Sequence, residues 1–182
     1  MAEGRTVLSE SSPRATPSSL ADYAPWPAVR PHTEQEFARL LTLLEACGFR
    51  GGSLALGHGR DAVSRETAAA FAGAWRRDGG QLVTVDWPED AASWLRQARR
   101  LTLPEPDAWV VAAAPVGWIQ MSRRLRHSTD WDPRRTFGFA STGDSRLVTA
   151  AGPDVLEGMR GVTADGGVWT IRRGWVVESG GE

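Results

Sequence analysis

An apolar run at residues 108–113, broken at Pro115 and followed by a second apolar stretch at 116–121, constrains the fold more than any other feature of the sequence. The first part, AWVVAA, has the length of a strand and no polar residue, so it predicts a strand whose sheet is covered on both faces. The proline predicts the start of a helix. In open sheets of this kind, ligands bind at the carboxyl ends of the strands. The stretch therefore predicts both an architecture and the place of a binding site.

Strand-like and helix-like segments alternate along the rest of the chain. Thr33 and Glu36 have the spacing of a capping box at the start of a helix, and Asp61 and Asp144 can cap two others. The predicted strands are 53–56, 81–85, 108–113, 136–140, 157–162 and, returning in the C-terminal hairpin, 168–177. The predicted helices are 33–47, 61–77, 90–101, 116–127 and a short one after Asp144. The expected fold class is α/β, a three-layer Rossmann-like sandwich with a mainly parallel sheet of about five strands flanked by helices and a C-terminal β-hairpin.

Composition divides the chain into three parts. Residues 1–22 are rich in Ser, Pro and Ala without periodicity, which predicts a flexible N-terminal tail. Residues 23–164 are the predicted α/β domain, which begins with a proline-rich extended arm at 23–31, and residues 165–182 are the predicted C-terminal hairpin strand and tail. The sequence has neither a signal-like apolar region nor a run of about 18 apolar residues. We therefore expect a cytoplasmic protein without membrane insertion.

The counts of charged residues and cysteine argue against several kinds of partner. The net charge is −1 at pH 7, and all 21 basic residues are Arg, so no global field attracts nucleic acid. The basic cluster of Arg123, Arg124 and Arg126 is interpreted as a solvated helix face. Cys47 is the only cysteine, which excludes an intramolecular disulfide and a thiolate metal cluster. We expect no metal site and no cofactor.

Three segments together resemble a known family. They are GHGRD at 57–61, DAWVVAAAP followed by VGWIQMSRRLR at 107–126, and FGFASTGDSRLVTAAGPDVLEGM at 137–159. In order and spacing, they are similar to one lobe of the type I periplasmic binding proteins, the branched-chain amino-acid receptor branch of the ABC transporter substrate-binding proteins. The resemblance implies a receptor lobe without its second lobe and without the export signal of the family. Either a homo-oligomer, a partner protein or the N-terminal arm would then supply the second wall of the ligand cleft, or ligand binding has been lost.

The resemblance also implies which residues face a small amino-acid-like ligand. They follow three strands and are His58, Gly59, Arg60 and Asp61, then Ala113, Ala114 and Pro115, and then Ser141, Thr142, Gly143 and Asp144. The hydroxyls of Ser141 and Thr142, with the amide of Gly143, could bind a carboxylate, and Asp144 could pair with an ammonium group. The alternative is that Asp61 and Asp144 only cap helices.

Two classes of function stay open at this stage. The leading hypothesis is a non-enzymatic binding or interaction domain that acts by association with itself or a partner and senses a small ligand. The competing hypothesis is a small hydrolase-like enzyme that uses His58, Ser141 and Asp144, which are the residue types of a nucleophilic triad. The sequence lacks the G-x-S-x-G pattern that usually positions such a serine.

Three of the nine tryptophans are candidate interface residues. Trp26 lies in the arm, and Trp169 and Trp175 lie in the C-terminal segment. Trp169 and Trp175 are separated by an even number of residues, so in one regular strand they would point to the same face. That face either covers the core of the domain or binds a partner, because aromatic residues are enriched at interfaces.

Overall fold

A computed structural model describes residues 15, 20–91, 93–152 and 154–179. Strands and helices alternate as far as the last helix. The strands are β1 (Ser53–Gly59), β2 (Gln81–Trp87), β3 (Ala108–Ala112), β4 (Thr136–Gly138), β5 (Arg160–Val162), β6 (Val168–Arg172) and β7 (Trp175–Ser179). The helices are α1 (Glu34–Ala46), α2 (Ala62–Arg77), α3 (Leu95–Thr102), α4 (Pro115–Ser128) and α5 (Ser145–Ala151), with short 3-10 turns at Pro133–Arg135 and Ala140–Thr142. No helix in the described ranges combines the length and the apolar character needed to cross a bilayer.

The seven strands form one sheet in the order β2-β1-β3-β4-β5-β6-β7. The strands from β2 to β5 are parallel to their neighbours, whereas β6 and β7 are antiparallel additions. The predicted α/β class and mainly parallel sheet are confirmed. The sheet has more strands than predicted because a turn at Arg173 and Gly174, both at positive φ, divides the last predicted strand into β6 and β7.

The sheet lies between two hydrophobic cores, as predicted from its central strand. In β3, Trp109 and Val111 pack into one core, and Ala108, Val110 and Ala112 pack into the other. The first core is completed by α3, α4 and α5, and the second by α1 and α2. All five residues of β3 are buried, so its apolar sequence is explained by helices on both faces.

The predicted helix caps form, but one helix starts later than expected. Thr33 and Glu36 make the reciprocal capping box of α1, and Asp61 and Asp144 accept hydrogen bonds from the first turns of α2 and α5. The third helix begins at Leu95 and not at Asp90. The Trp94 indole N–H donates to the Pro88 carbonyl at 3.0 Å, which ties the residue before the helix to the end of β2.

The prediction that Trp169 and Trp175 share one face is wrong. Trp169 is 1% exposed and its indole N–H donates to the Val162 carbonyl, whereas Trp175, beyond the turn, is 66% exposed. Trp169 therefore belongs to the core and not to an interface. Trp26 is half-buried and packs against the core that contains α3, α4 and α5.

The predicted domain boundaries stay a prediction. Most of the predicted flexible tail, at 1–14 and 16–19, lies outside the described residues, as do the last three residues, 180–182. The predicted boundary at 164 falls between β5 and β6, which are hydrogen-bonded neighbours in the same sheet.

Candidate functional site

The three predicted ligand-binding segments lie at the same end of the sheet, where the parallel strands have their carboxyl ends. They follow β1, β3 and β4, which are parallel neighbours, so their carboxyl ends point the same way. One detail of the prediction is wrong, because His58 and Gly59 belong to β1 and not to a loop. They pair with Asp86 and Trp87 of β2, which extends the strand past the predicted end.

A cavity of about 590 Å³ opens at this edge, between the ends of β3 and β4 and the N-terminal arm. The arm, which is one of the three predicted candidates for a second wall, lines it with residues 27–31, and the next residue, His32, continues the lining. The lining residues are Pro27, Ala28, Val29, Arg30, Pro31, His32, Glu36, Ser64, Thr67, Ala112, Ala113, Pro115, Phe139, Ala140, Ser141, Gly143, Asp144, Ser145 and Ala164.

The end of the arm is attached to the domain through His32. Its Nδ1 lies 3.1 Å from the Thr67 hydroxyl of α2, and its ring centroid lies 5.1 Å from that of Phe37 and 6.0 Å from that of Phe139. The neighbouring Thr33 hydroxyl donates to the carbonyl of Ala164, which also lines the cavity. These contacts join the arm to α1, α2 and the turn after β5.

The predicted ligand-binding residues divide into two groups. Ala113, Pro115, Ser141, Gly143 and Asp144 line the cavity. His58, Gly59, Arg60, Asp61, Ala114 and Thr142 lie outside that lining. The Thr142 hydroxyl is directed inward, where it donates to the Phe139 carbonyl at 2.8 Å, and the Arg60 guanidinium pairs with Asp86 at 2.5 Å.

The polar predicted residues of the cavity already have partners within the chain. The Ser141 hydroxyl donates to the Ala113 carbonyl at 3.0 Å. Asp144 accepts from the backbone N–H of Arg146 at 2.8 Å, and its other oxygen lies 2.7 Å from the Arg146 guanidinium. The Arg146 guanidinium holds the pKa of the Asp144 carboxyl below its usual value. The capping role of Asp144 is therefore present, and a ligand ammonium group would have to compete with Arg146.

The three residues of the hydrolase hypothesis do not form a proton relay. His58 lies outside the cavity with Nδ1 2.7 Å from the Gly59 carbonyl oxygen, the Ser141 hydroxyl donates to Ala113, and Asp144 pairs with Arg146. Since each side chain has a different partner, the nucleophile has no base beside it. In the described part of the chain, no group of three or more His, Cys, Asp or Glu is arranged to hold a metal ion.

Sequence reasoning missed several residues of the cavity, among them His32, Ser64, Thr67 and Glu36. Glu36 is only 4% exposed, and its two carboxylate oxygens accept from the backbone N–H groups of Thr33 at 3.2 Å and Ala140 at 2.7 Å. The capping-box spacing identified the first bond. The second joins residues 104 positions apart and has no local sequence signal.

A second polar cluster lies beside the cavity and surrounds Gly59. A Cβ atom at Gly59 would stand 2.8 Å from Asp61 Oδ2 and 3.4 Å from both Glu89 Oε1 and the Ser64 hydroxyl oxygen. All three oxygens are buried, and none has a hydrogen-bond partner among the residues that the structure describes. The other Glu89 oxygen accepts from the Gly117 N–H at the start of α4, at 2.8 Å. Burial raises the pKa of the Glu89 carboxyl, the Gly117 N–H opposes this, and the Asp61 carboxylate adds to it.

Because the pKa of Glu89 is raised by folding, its contribution to stability is complete below about pH 4.5 and is lost as the pH rises through the folded-state pKa. The substitution Glu89→Gln keeps an acceptor for Gly117 and removes the titration. We expect the difference in unfolding free energy, variant minus wild type, to increase between about pH 4 and about pH 8. Urea unfolding at several pH values measures it, with Glu66→Gln on the exposed face of α2 as control. A constant difference across this range would contradict the prediction.

The fold is similar to that of ligand-binding proteins of known structure. An extracellular ligand-binding receptor from Verminephrobacter eiseniae matches with a TM-score of 0.62 and 19% identity, over 75% of this chain and 38% of that one. The leucine binding protein of Thermotoga maritima matches with a TM-score of 0.60 and 16% identity, over 71% and 36% of the two chains. A branched-chain amino acid ABC transporter periplasmic ligand-binding protein from Burkholderia xenovorans matches with a TM-score of 0.56 and 16% identity, over 71% and 34%.

The chain spans little more than a third of the length of each of these proteins, which corresponds to a single lobe. The predicted resemblance to one lobe of the branched-chain amino-acid receptors is confirmed for the fold. No protein-family model matches the sequence, and no curated protein matches it.

Proposed function

We propose that this protein is a non-enzymatic small-molecule-binding domain in which the N-terminal arm takes the place of the second lobe of a two-lobed receptor. The observation that carries the proposal is the cavity of about 590 Å³ between the strand ends and residues 27–32. Its volume lies within the range of about 300–1,000 Å³ that is usual for small-molecule sites. It also lies at the sheet edge where open α/β folds bind ligands.

The lining favours a small ligand with an apolar body and one charged end. Ala113, Pro115 and Phe139 provide apolar surface at the ends of the strands. Arg30 of the arm provides a guanidinium that can form a fork with a carboxylate. One protein of similar fold is described as a leucine binding protein, and another as the ligand-binding protein of a branched-chain amino acid transporter. Leucine has such a body and such a carboxylate. We therefore propose an amino-acid-like ligand that is held between the arm and the carboxyl ends of β3 and β4.

A thermal-shift series with the branched-chain amino acids and related carboxylates tests the proposal. A ligand at 100 times its dissociation constant should stabilise the protein by about 2.7 kcal/mol. For a domain of this size, that corresponds to a rise in Tm of roughly 5–10 °C. If no compound of this class raises the Tm, the proposal fails.

The role of the arm has a test of its own. The substitution His32→Ala removes the contacts with Thr67, Phe37 and Phe139 that attach the arm. We expect it to weaken ligand binding about tenfold or more, because an open site buries less of the ligand. His127→Ala, at an exposed position in the last turn of α4, is the matched control. Equal affinities of the two variants in calorimetry would show that the arm is not a wall of the site.

The proposal includes a cytoplasmic location and association with a second copy or a partner along β7. This strand is at the edge of the described sheet, and Trp175 and Val177, on the same face, are 66% and 50% exposed. Large apolar groups on an exposed sheet edge favour pairing with another chain. Light scattering on the thermal-shift samples measures the association, and a strict monomer would remove the self-association part.

A further inference from the structure

A second pocket, of about 390 Å³, lies at the amino ends of the parallel strands β4 and β5. The arm-covered cavity lies at the opposite end of the strands. Arg134 precedes β4, Arg160 begins β5, and Arg172 ends the antiparallel strand β6, so the topology brings the three together. The pocket is lined by Arg134, Glu157, Gly158, Arg160, Thr170, Ile171, Arg172 and Arg173. We refer to it as the arginine pocket.

The arginine pocket concentrates positive charge in a chain whose net charge is −1. Four of its eight lining residues are arginines and one is a glutamate. The Glu157 carboxylate accepts from the backbone N–H of Arg173 at 3.1 Å. Among the described residues, the ion pairs in the structure involve other arginines, namely Arg50, Arg60, Arg135 and Arg146. In the described part of the chain, the lining therefore contains one carboxylate and four guanidinium groups, and none of these four arginines forms an ion pair.

Two of the four arginines are held in position by the fold. Arg160 Nη1 donates to the Cys47 sulfur of α1 at 3.2 Å. The stem of Arg134 lies against Gly158, where a Cβ atom would stand only 2.6 Å from Arg134 Cγ. Gly158 also has a φ of 87°, in the left-handed region that favours glycine. Positioning of this kind reduces the entropy that arginine side chains lose when they bind an anion.

We propose that the arginine pocket binds a small anion that carries two or more phosphate groups. The planar forks of arginine match phosphate oxygens in pairs, and a diphosphate offers oxygens to more than one fork at once. The small volume of the pocket, about 390 Å³, and the chain's net charge of −1 favour a small molecule over nucleic acid, which proteins usually bind along an extended basic face. This site is separate from the cavity of the proposed function, because the two have no lining residue in common.

Calorimetric titration with sodium pyrophosphate at constant ionic strength tests the proposal. We expect saturable binding at one site that is tighter than the binding of sulfate. The substitution Arg172→Gln, at an exposed position, should weaken it by roughly tenfold to a hundredfold, the usual effect of losing a charged hydrogen bond. Arg172→Lys should recover only part of the loss, because lysine keeps the charge without the fork. Arg76→Gln, on the exposed side of α2, removes the same charge elsewhere and should bind like wild type.

Several results would overturn the proposal. They are the absence of saturable binding, an equal loss in Arg172→Gln and Arg76→Gln, and equal affinity for sulfate and pyrophosphate. Tighter binding of a single-stranded oligonucleotide through the same arginines would replace the small anion with a nucleic-acid partner. The His32→Ala variant should bind pyrophosphate normally, so failure of the cavity proposal and failure of this one are distinguishable.

Discussion

Replacing Gly161 by alanine is expected to destabilise the protein by about 3 kcal/mol or more, which lowers the Tm of a domain of this size by roughly 6–12 °C. Gly161 lies in β5 between Gly138 of β4 and Trp169 of β6. A Cβ atom there would stand 2.1 Å from Trp169 Cζ2 and 2.3 Å from the Gly138 carbonyl oxygen. The second clash is with backbone of a paired strand, so it cannot be relieved by a side-chain rotation.

Two further variants separate the causes of this loss. The matched control is Gly73→Ala. Gly73 lies in the middle of α2 on its exposed face, and no atom lies near the new Cβ. This substitution should stabilise the protein by roughly 0.5–1 kcal/mol. Adding Trp169→Leu to Gly161→Ala should relieve the ring clash but leave the carbonyl clash, so the second substitution should cost less in the variant than in wild type. Thermal unfolding measures these variants and Trp169→Leu alone, which completes the comparison. If Gly161→Ala melts like wild type, the packing of Trp169 over β5 is wrong.

Glu36→Ala is the second substitution with a large expected effect, a loss of about 2–4 kcal/mol. The carboxylate is buried and accepts from the backbone N–H groups of Thr33 and Ala140. Alanine would leave the Ala140 N–H without an acceptor and would detach α1 from the turn that lines the cavity. Urea unfolding measures the loss of stability, and the branched-chain amino-acid titration measures the loss of the site.

The controls for Glu36 use the same helix. Glu34→Ala, exposed in the first turn of α1, should change the unfolding free energy by less than about 0.5 kcal/mol. Glu36→Gln keeps one carbonyl oxygen as an acceptor but places an amide donor near the second N–H, so it should lie between alanine and wild type. If Glu36→Ala lowers the unfolding free energy no more than Glu34→Ala does, the bond from Glu36 to Ala140 does not stabilise the turn that lines the cavity.

The parts of the fold that were predicted correctly depend on local signals. The apolar run of β3 indicated a strand covered on both faces, and Thr33, Asp61 and Asp144 marked the starts of three helices. The late start of α3 was missed because the bond from Trp94 to Pro88, which fixes the residue before the helix, has no periodic signal in the sequence. The division of β6 from β7 was missed because Arg173, a non-glycine residue, adopts a φ of 51° in the turn.

The candidate site was predicted only in part, for a related reason. Parallel neighbouring strands have their carboxyl ends on the same side of the sheet. The sequence therefore located that side and five of the residues that line the cavity there. The arm wall, the attachment through His32 and the bond from Glu36 to Ala140 depend on contacts between distant segments. Glycines within β4 and β5 were a usable signal for the close approach of Trp169, since glycine in a strand often marks such an approach.

By itself, the sequence determined the class of the fold, its alternating order and the end of the sheet at which the cavity lies, because periodicity, caps and strand direction are local properties of the chain. Only the tertiary structure decided which side chains face the cavity, that Trp169 is buried while Trp175 is exposed, and which arginines line the arginine pocket. Those outcomes depend on the packing of segments far apart in the chain, and the residues near each position do not encode that packing.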